Sequence, residues 1–155
     1  MTTLVKLKDI ADFLTEGDWH YNVRDDKAFS MGVQGDNATF EVFVEFHEEN
    51  DVIVIETTFP FRVPENKRTL VSELLARINL GRFHGCCQMD LTNGFVCYHT
   101  AMPIDNSPFN KDIFERLLQT SMNMSDWTYP AFMSVIYGGM SPEEALKLVE
   151  TETEP

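Results

Sequence analysis

Residues 63–82 read as one amphipathic helix, and strand-like patterns lie immediately on both sides of it. Leu70, Val71, Leu74, Leu75 and Ile78 fall at helical spacing and form a single apolar stripe. Lys67, Arg68, Glu73 and Arg77 fall opposite, with Glu73 and Arg77 spaced i to i+4 for a weak ion pair. Pro64 suits the first turn, where its missing N–H costs nothing, and Gly81 supplies the left-handed residue that ends the helix. This helix divides a sheet into two blocks, and both blocks must reach its stripe.

The block ahead of it opens with a helix over Leu4–Glu16, whose Leu7, Ile10, Ala11 and Leu14 share a face and which stops at Gly17. Trp19 is expected to fold back on that face. His20–Val23 reads as a brief strand, and Asp25-Asp26-Lys27 as a turn. Phe29, Met31 and Val33 alternate with small residues, and Gln34-Gly35-Asp36-Asn37 is a strong turn signal. Phe40, Val42, Val44 and Phe46 then alternate with Glu41, Phe43, Glu45 and His47, which marks one core face. Val52–Ile55 is apolar on both faces, so the expectation is a central strand covered twice.

Behind the helix, Asn93-Gly94 is the best hairpin signal in the chain. A two-residue turn there pairs Thr92 with Phe95, Leu91 with Val96, Met89 with Tyr98 and Cys87 with Thr100 on the apolar side. Gln88 then pairs with His99 and Asp90 with Cys97 on the other. Ser107-Pro108 can open a helix, whose stripe continues through Ile113, Phe114, Leu117, Leu118 and Met122. A second helical pattern, Trp127, Phe132, Met133, Ile136 and Tyr137, surrounds Pro130, so a break or kink is expected near Asp126–Pro130. Gly138-Gly139 stops it. Ser141-Pro142-Glu143-Glu144 is a capping box that opens a last helix through Leu146 and Val149. The expectation is one α+β domain over 1–150, an antiparallel sheet with helices packed against it, in the order α-β-β-β(β)-α-β-β-α-α, and a frayed tail over 151–155.

At 155 residues, 43% hydrophobic and 24% charged, the chain is large enough for one packed core and too apolar for disorder. It holds no apolar run near the ~20 residues that cross a bilayer. A formal net charge of −13 repels phosphate backbones, so neither membrane nor nucleic acid is expected as a partner. The segment Met1–Asp9 has no signal-peptide core, and three cysteines are an odd number, so a cytoplasmic setting is expected.

His84, Cys86, Cys87, Cys97 and His99 invite comparison with a zinc site, which needs about four converging ligands. The hairpin register argues against it. Cys86 and Cys87 point to opposite faces, and Cys97 lies four pairs from Cys86, roughly 13 Å at strand rise. Neither a metal, a disulfide nor a cofactor is therefore expected. Cys97 and His99 lack a third group to orient them, so a thiol nucleophile is a minor alternative. The acid pairs Asp25-Asp26, Glu48-Glu49 and Glu143-Glu144 read as turn and cap residues, and no phosphate loop or nucleophile elbow stands in the sequence. Met122, Met124, Trp127, Tyr129, Phe132, Met133 and Tyr137 form a methionine and aromatic patch that is either core or a partner-binding groove. Phe43, Phe95 and Cys97 fall away from the core faces, and together with Val52–Ile55 they suggest a second sheet face that is closed either by the Pro64–Leu80 helix of the same chain or, as the preferred expectation, by another copy of the chain, a homodimer.

Three segments, Leu14–Trp19, Phe61–Arg68 and Tyr129–Leu146, are together similar to the YbjN-like family, labelled "putative bacterial sensory transduction regulator". The last is the most specific, joining a tyrosine-proline, a double glycine and a capping box. The resemblance implies a fold similar to type III secretion chaperones and supplies no catalytic residue. The expected role is a bacterial regulatory or chaperone-like protein, not an enzyme, that binds another protein. A small-ligand sensor is the alternative.

Overall fold

The structure is a computed structural model and describes residues 2–105 and 107–151. Helix α1 spans Thr2–Glu16, and strands β1 (Asn22–Val23), β2 (Ala28–Gln34), β3 (Thr39–His47) and β4 (Val52–Arg62) follow. Helix α2 (Arg68–Asn79) leads to strands β5 (Cys86–Met89) and β6 (Phe95–Pro103), then helices α3 (Lys111–Ile136) and α4 (Pro142–Glu150). The strands form one antiparallel sheet in the order β1-β2-β3-β4-β6-β5. The α+β class and the element order agree with the sequence. The tail lies outside the described residues beyond Thr151, which caps α4.

Alternation puts Phe29 and Met31 of β2, Phe40, Val42, Val44 and Phe46 of β3, Ile53, Ile55, Thr57 and Phe59 of β4, and Val96, Tyr98, Thr100 and Met102 of β6 on one buried face. The register confirms this, because Phe29, Val44, Ile55 and Thr100 lie in one row across the sheet. Two hydrophobic clusters cover the face. Ile10 and Leu14 of α1 and Phe114, Leu117 and Leu118 of α3 pack over β2–β4. Val71, Leu74, Leu75 and Ile78 of α2 pack with Val96, Tyr98, Phe132 and Val135, and Ala145 and Val149 of α4 close over them. Each fully buried Leu, Ile or Phe contributes about 1.5–3 kcal/mol, so these clusters set the layering. Helix α3 belongs to both and ties them together. At the seam, the Thr57 and Ser121 hydroxyls hydrogen-bond at 2.7 Å, both fully buried.

Several details differ from the sequence reading. Helix α2 is shorter than residues 63–82. Pro64 stays extended at ψ 147°, a 3-10 turn follows over Glu65–Lys67, and the α-helix begins at Arg68. Val63 is held in place because its N–H donates to the Gly94 carbonyl at 2.8 Å and its own carbonyl accepts from Arg68 Nε at 3.2 Å. Leu70 leaves the stripe for the surface, while Val71, Leu74, Leu75 and Ile78 stay buried and Glu73 accepts from Arg77 at 2.9 Å.

The hairpin register is shifted by two: Cys86 faces His99, Cys87 faces Tyr98, Gln88 faces Cys97 and Met89 faces Val96. The loop holds four residues instead of two, since Asp90 N–H already bonds to the Phe95 carbonyl. The Asp90 carboxylate takes the Thr92 N–H at 2.8 Å and the Asn93 amide at 3.0 Å, which absorbs Leu91 and Thr92 into the loop. A two-residue shift keeps every side chain on its face, so only Leu91 changes environment, to the surface.

Helix α3 starts at Lys111, not at Ser107-Pro108. Asn110 is its cap, accepting the Ile113 N–H at 3.0 Å. The expected break at Pro130 does not occur, and α3 runs unbroken to Ile136. Pro130 leaves the Asp126 carbonyl without its helical N–H, and the Asn37 side-chain amide donates to that carbonyl at 3.1 Å. The capping box forms as read: Ser141 Oγ accepts from Glu144 N–H and the Glu144 carboxylate from Ser141 N–H.

Candidate interaction surface

Strand β4 is central but not enclosed twice. Its inward residues are buried, whereas Val52, Val54, Glu56 and Thr58 are half-exposed on the side away from the helices. On that outer side, Ser30, Phe43, Glu56, His99 and Cys86 form one row, Ala28, Glu45, Val54 and Ala101 a second, and Gly32, Glu41, Thr58, Cys97 and Gln88 a third. Phe43, Phe95 and Cys97, the residues the alternation pointed to, lie on this face. Phe43 and Phe95 are half-buried and Cys97 is buried. The Arg24 guanidinium sits 5.6 Å from the Phe43 ring centroid and Arg62 sits 4.7 Å from that of Phe95, so two cations partly roof the aromatics. Between them, His99 Nδ1 lies 3.1 Å from Glu56 Oε1. The face is a mixed surface of apolar strips and ion pairs.

All three cysteines are free thiols. The corrected register brings Cys86 and Cys97 two pairs apart on the outer face, not four, while Cys87 points into the core. Burial, reinforced by the nearby Glu56 carboxylate, pushes the Cys97 thiol up to about 12, and burial pushes Cys87 up further. An activated thiol needs the opposite shift. Among the described residues no three His, Cys, Asp or Glu side chains converge as metal ligands.

The methionine and aromatic patch divides. Met122, Met124 and Phe132 are core residues; Trp127, Tyr129 and Met133 are half-buried, and Tyr137 is exposed. Phe132 packs edge-to-face against Phe59 and at a tilt against Phe61, and Tyr129 lies edge-on to Phe40. Of the patch, Trp127, Tyr129, Met133 and Tyr137 keep exposed surface, but Trp127 and Tyr129 project roughly 200° apart on α3, so the four do not make one surface. An open groove of about 570 Å³ lies between the end of β6 and the start of α3, lined by Met102, Ile104, Pro108, Phe109 and Ile113 among others.

The loop between α2 and β5 takes in Leu80–Arg82, expected as the end of the 63–82 helix, and His84, and the exposure of its apolar side chains is not among the expectations. Leu80 and Phe83 there are 84% and 94% exposed. Gly81 and Gly85, with φ of +79° and +80°, bracket it, and that pair of glycines around a phenylalanine outside any alternating pattern was the available signal. Beside the loop, the Asn79 side chain bonds both ways to Cys87 on the outer edge of β5, accepting its N–H at 2.8 Å and donating to its carbonyl at 2.9 Å. That edge is closed to further strand pairing at Cys87. No described helix is long and apolar enough to cross a membrane.

Solved structures share this fold. A chaperone–effector complex, HopA1–SchA, aligns with TM-score 0.56 and 14% identity over 81% of this chain and 93% of that one. YbjN from E. coli aligns with TM-score 0.59 and 11% identity over 86% and 90%. The ExsC–ExsE complex aligns with TM-score 0.51 and 14% identity over 80% and 91%. The fold is thus of the type III secretion chaperone kind. None of the curated proteins compared with the chain matches it by sequence. The YbjN family profile, described as "Putative bacterial sensory transduction regulator", matches residues 6–134, and the chain belongs to that family.

Proposed function

We propose that this protein is a cytoplasmic, non-enzymatic regulatory or chaperone-like protein that acts by binding protein, and that a second copy of the chain closes the outer face of its sheet. One observation carries the reading: the helices pack on a single side of the sheet, and Phe43, Val54, Ala101 and Phe95 remain on the other. Geometry favours a second copy as the occupant: a two-fold axis along β4 sets Val54 against its mate and Phe43 of one copy over β6 of the other, an isologous arrangement. The charges of this face are matched within the chain, Arg24 with Glu41 at 3.2 Å and His99 beside Glu56 at 3.1 Å, so little unpaired charge opposes its burial. Kinship of fold with the HopA1–SchA chaperone–effector complex supports a protein partner, at the level of fold analogy. The net charge of −13 sets the protein against nucleic acid, and the raised thiols set it against cysteine catalysis.

Light scattering at micromolar concentration tests the assembly. The expected result is a dimer mass for the wild type and a monomer for Phe43→Arg. An interface of this kind buries more than ~1,000 Å². A monomeric wild type ends the proposal.

A further inference from the structure

One row of the outer face sets a carboxylate, an imidazole and a thiol side by side. Glu56 of β4 stands directly opposite His99 of β6, and His99 directly opposite Cys86 of β5. Glu56 Oε1 lies 3.1 Å from His99 Nδ1. A carboxylate only accepts, so Nδ1 carries the hydrogen and the neutral ring keeps its lone pair at Nε2. The register thus supplies the orienting group that Cys97 and His99 lack in sequence, and the thiol it serves is Cys86.

That thiol is fixed from both sides. At Gly85 a Cβ would come within 2.6 Å of the His99 carbonyl oxygen, so the start of β5 is seated on β6. At Cys87 the Asn79 side chain accepts the backbone N–H and donates to the carbonyl from outside the sheet. The backbone polar groups of Cys87 therefore turn away from β6, and those of Cys86 turn toward it. Cys86 and His99 form a hydrogen-bonded pair, with Cα atoms about 5.5 Å apart and side chains on one face. Cys87 and Cys97 are each 3% exposed, whereas Cys86 is half-buried and open to a reagent. The Gln88 side-chain amide also donates to the Cys86 sulfur at 3.7 Å, a contact that strengthens as the sulfur gains negative charge.

We propose that Cys86 is a thiol-modification site that exchanges with low-molecular-weight disulfides, with His99 as its proton acceptor and Glu56 as the residue that positions His99. Nε2 takes the Cys86 proton, and the thiolate attacks one sulfur of the small disulfide. A new S–S bond forms to Cys86 as the reagent's own S–S bond breaks, and His99 passes the proton to the thiolate that leaves. The small disulfide is the oxidant: one of its sulfurs leaves as a thiol while Cys86 is oxidised to a mixed disulfide. The step is stoichiometric, without turnover. It goes beyond the protein-binding reading and does not rest on the sheet-face dimer.

The test mixes the reduced protein with 4,4′-dithiodipyridine, a neutral disulfide that releases one coloured thiopyridone per exchange. One equivalent is expected to react at least tenfold faster than the thiols of the urea-unfolded chain, and Cys86→Ser to remove that fast phase. His99→Asn is expected to slow it at least tenfold. Glu56→Gln should slow it as well, and Glu56→Asp, which keeps a carboxylate, should recover part of the rate; circular dichroism checks that each variant is folded. A second copy on the outer face would cover this row, so the series is repeated in Val54→Lys, which sets like charges against each other across an axis at β4, with the mass read by light scattering. Fast exchange in either background supports the inference, whatever the mass. A fast phase absent from both backgrounds, one that survives Cys86→Ser, or a rate indifferent to His99→Asn overturns it.

Discussion

Asn37 reaches from the β2–β3 turn to the middle of α3 and donates to the Asp126 carbonyl, the one that Pro130 leaves without a helical N–H. The Asp126 carboxylate returns the contact, accepting the N–H groups of Asp36 at 3.1 Å and Asn37 at 2.9 Å. The turn is shaped for this: a Cβ on Gly35 would sit 2.1 Å from Asp126 Oδ1. Asp126→Ala is expected to destabilise the protein by about 1–3 kcal/mol, as loss of charge-assisted hydrogen bonds does. Pro130→Ala supplies a competing helical N–H, so Asn37→Ala should cost less in that background than alone. Urea unfolding of the four proteins in this cycle measures it, and equal costs would dissolve the coupling.

Thr57 and Ser121 bridge β4 and α3 where the two hydrophobic clusters meet. Thr57→Val alone removes a partner from a buried hydroxyl and is expected to cost about 1–3 kcal/mol. Adding Ser121→Ala removes the orphan as well, so the double variant should be more stable than the Thr57→Val single variant. Chemical denaturation of the set decides.

Gly94 holds φ +75°, and a Cβ there would lie 2.2 Å from the Val63 carbonyl oxygen. Gly94→Ala therefore strains its own backbone and pushes apart the β6 hairpin and the entry to α2. A loss of about 1–3 kcal/mol is expected, larger than an unstrained Gly→Ala would give. Thermal melts compared with Gly81→Ala, also at positive φ but with open space around its Cβ, isolate the steric part.

Alkaline pH should unfold the protein early. Burial raises the Cys97 thiol from its ordinary 9.0 to about 12 and the Tyr98 phenol from 10.0 to about 12, and lifts Cys87 as well. The unfolded chain releases these protons first. Stability is therefore full below about pH 9 and falls as pH rises toward the folded values, because the native state holds more protons across that window. Urea midpoints at pH 8, 9.5 and 10.5 are expected to drop in order. Cys97→Ser should flatten the slope, and a midpoint that rises with pH would contradict the assignment.

Where a pattern repeats, this chain is legible from its residues. Alternation in β3 and β6 named the buried face correctly, and the apolar spacing of α1, α2 and α3 named most of their buried residues. The capping box at Ser141 and the stop at Gly139 are local chemistry, complete within a few residues, and they form as read. The outer-face positions Phe43, Phe95 and Cys97 were visible for the same reason, since a period of two assigns both faces at once.

Tertiary structure decided what no local pattern contains. Asn93-Gly94 marks a turn, but the Asp90 side chain sets its length, and hence the spacing of Cys86 and Cys97. Pro130 signals a lost backbone bond, and only the packing of the β2–β3 turn against α3 supplies Asn37 to replace it, 89 residues away in sequence. Val52–Ile55 is apolar on both sides in sequence, whether or not a second layer covers it. The chain places its helices on one side alone, because α3 and α2 share clusters there. The exposure of Phe83 was likewise undetermined until Tyr98 and the glycines at 81 and 85 fixed the loop that carries it. Periodicity assigns a side chain to a face; what then lies against that face depends on contacts between residues far apart in the chain.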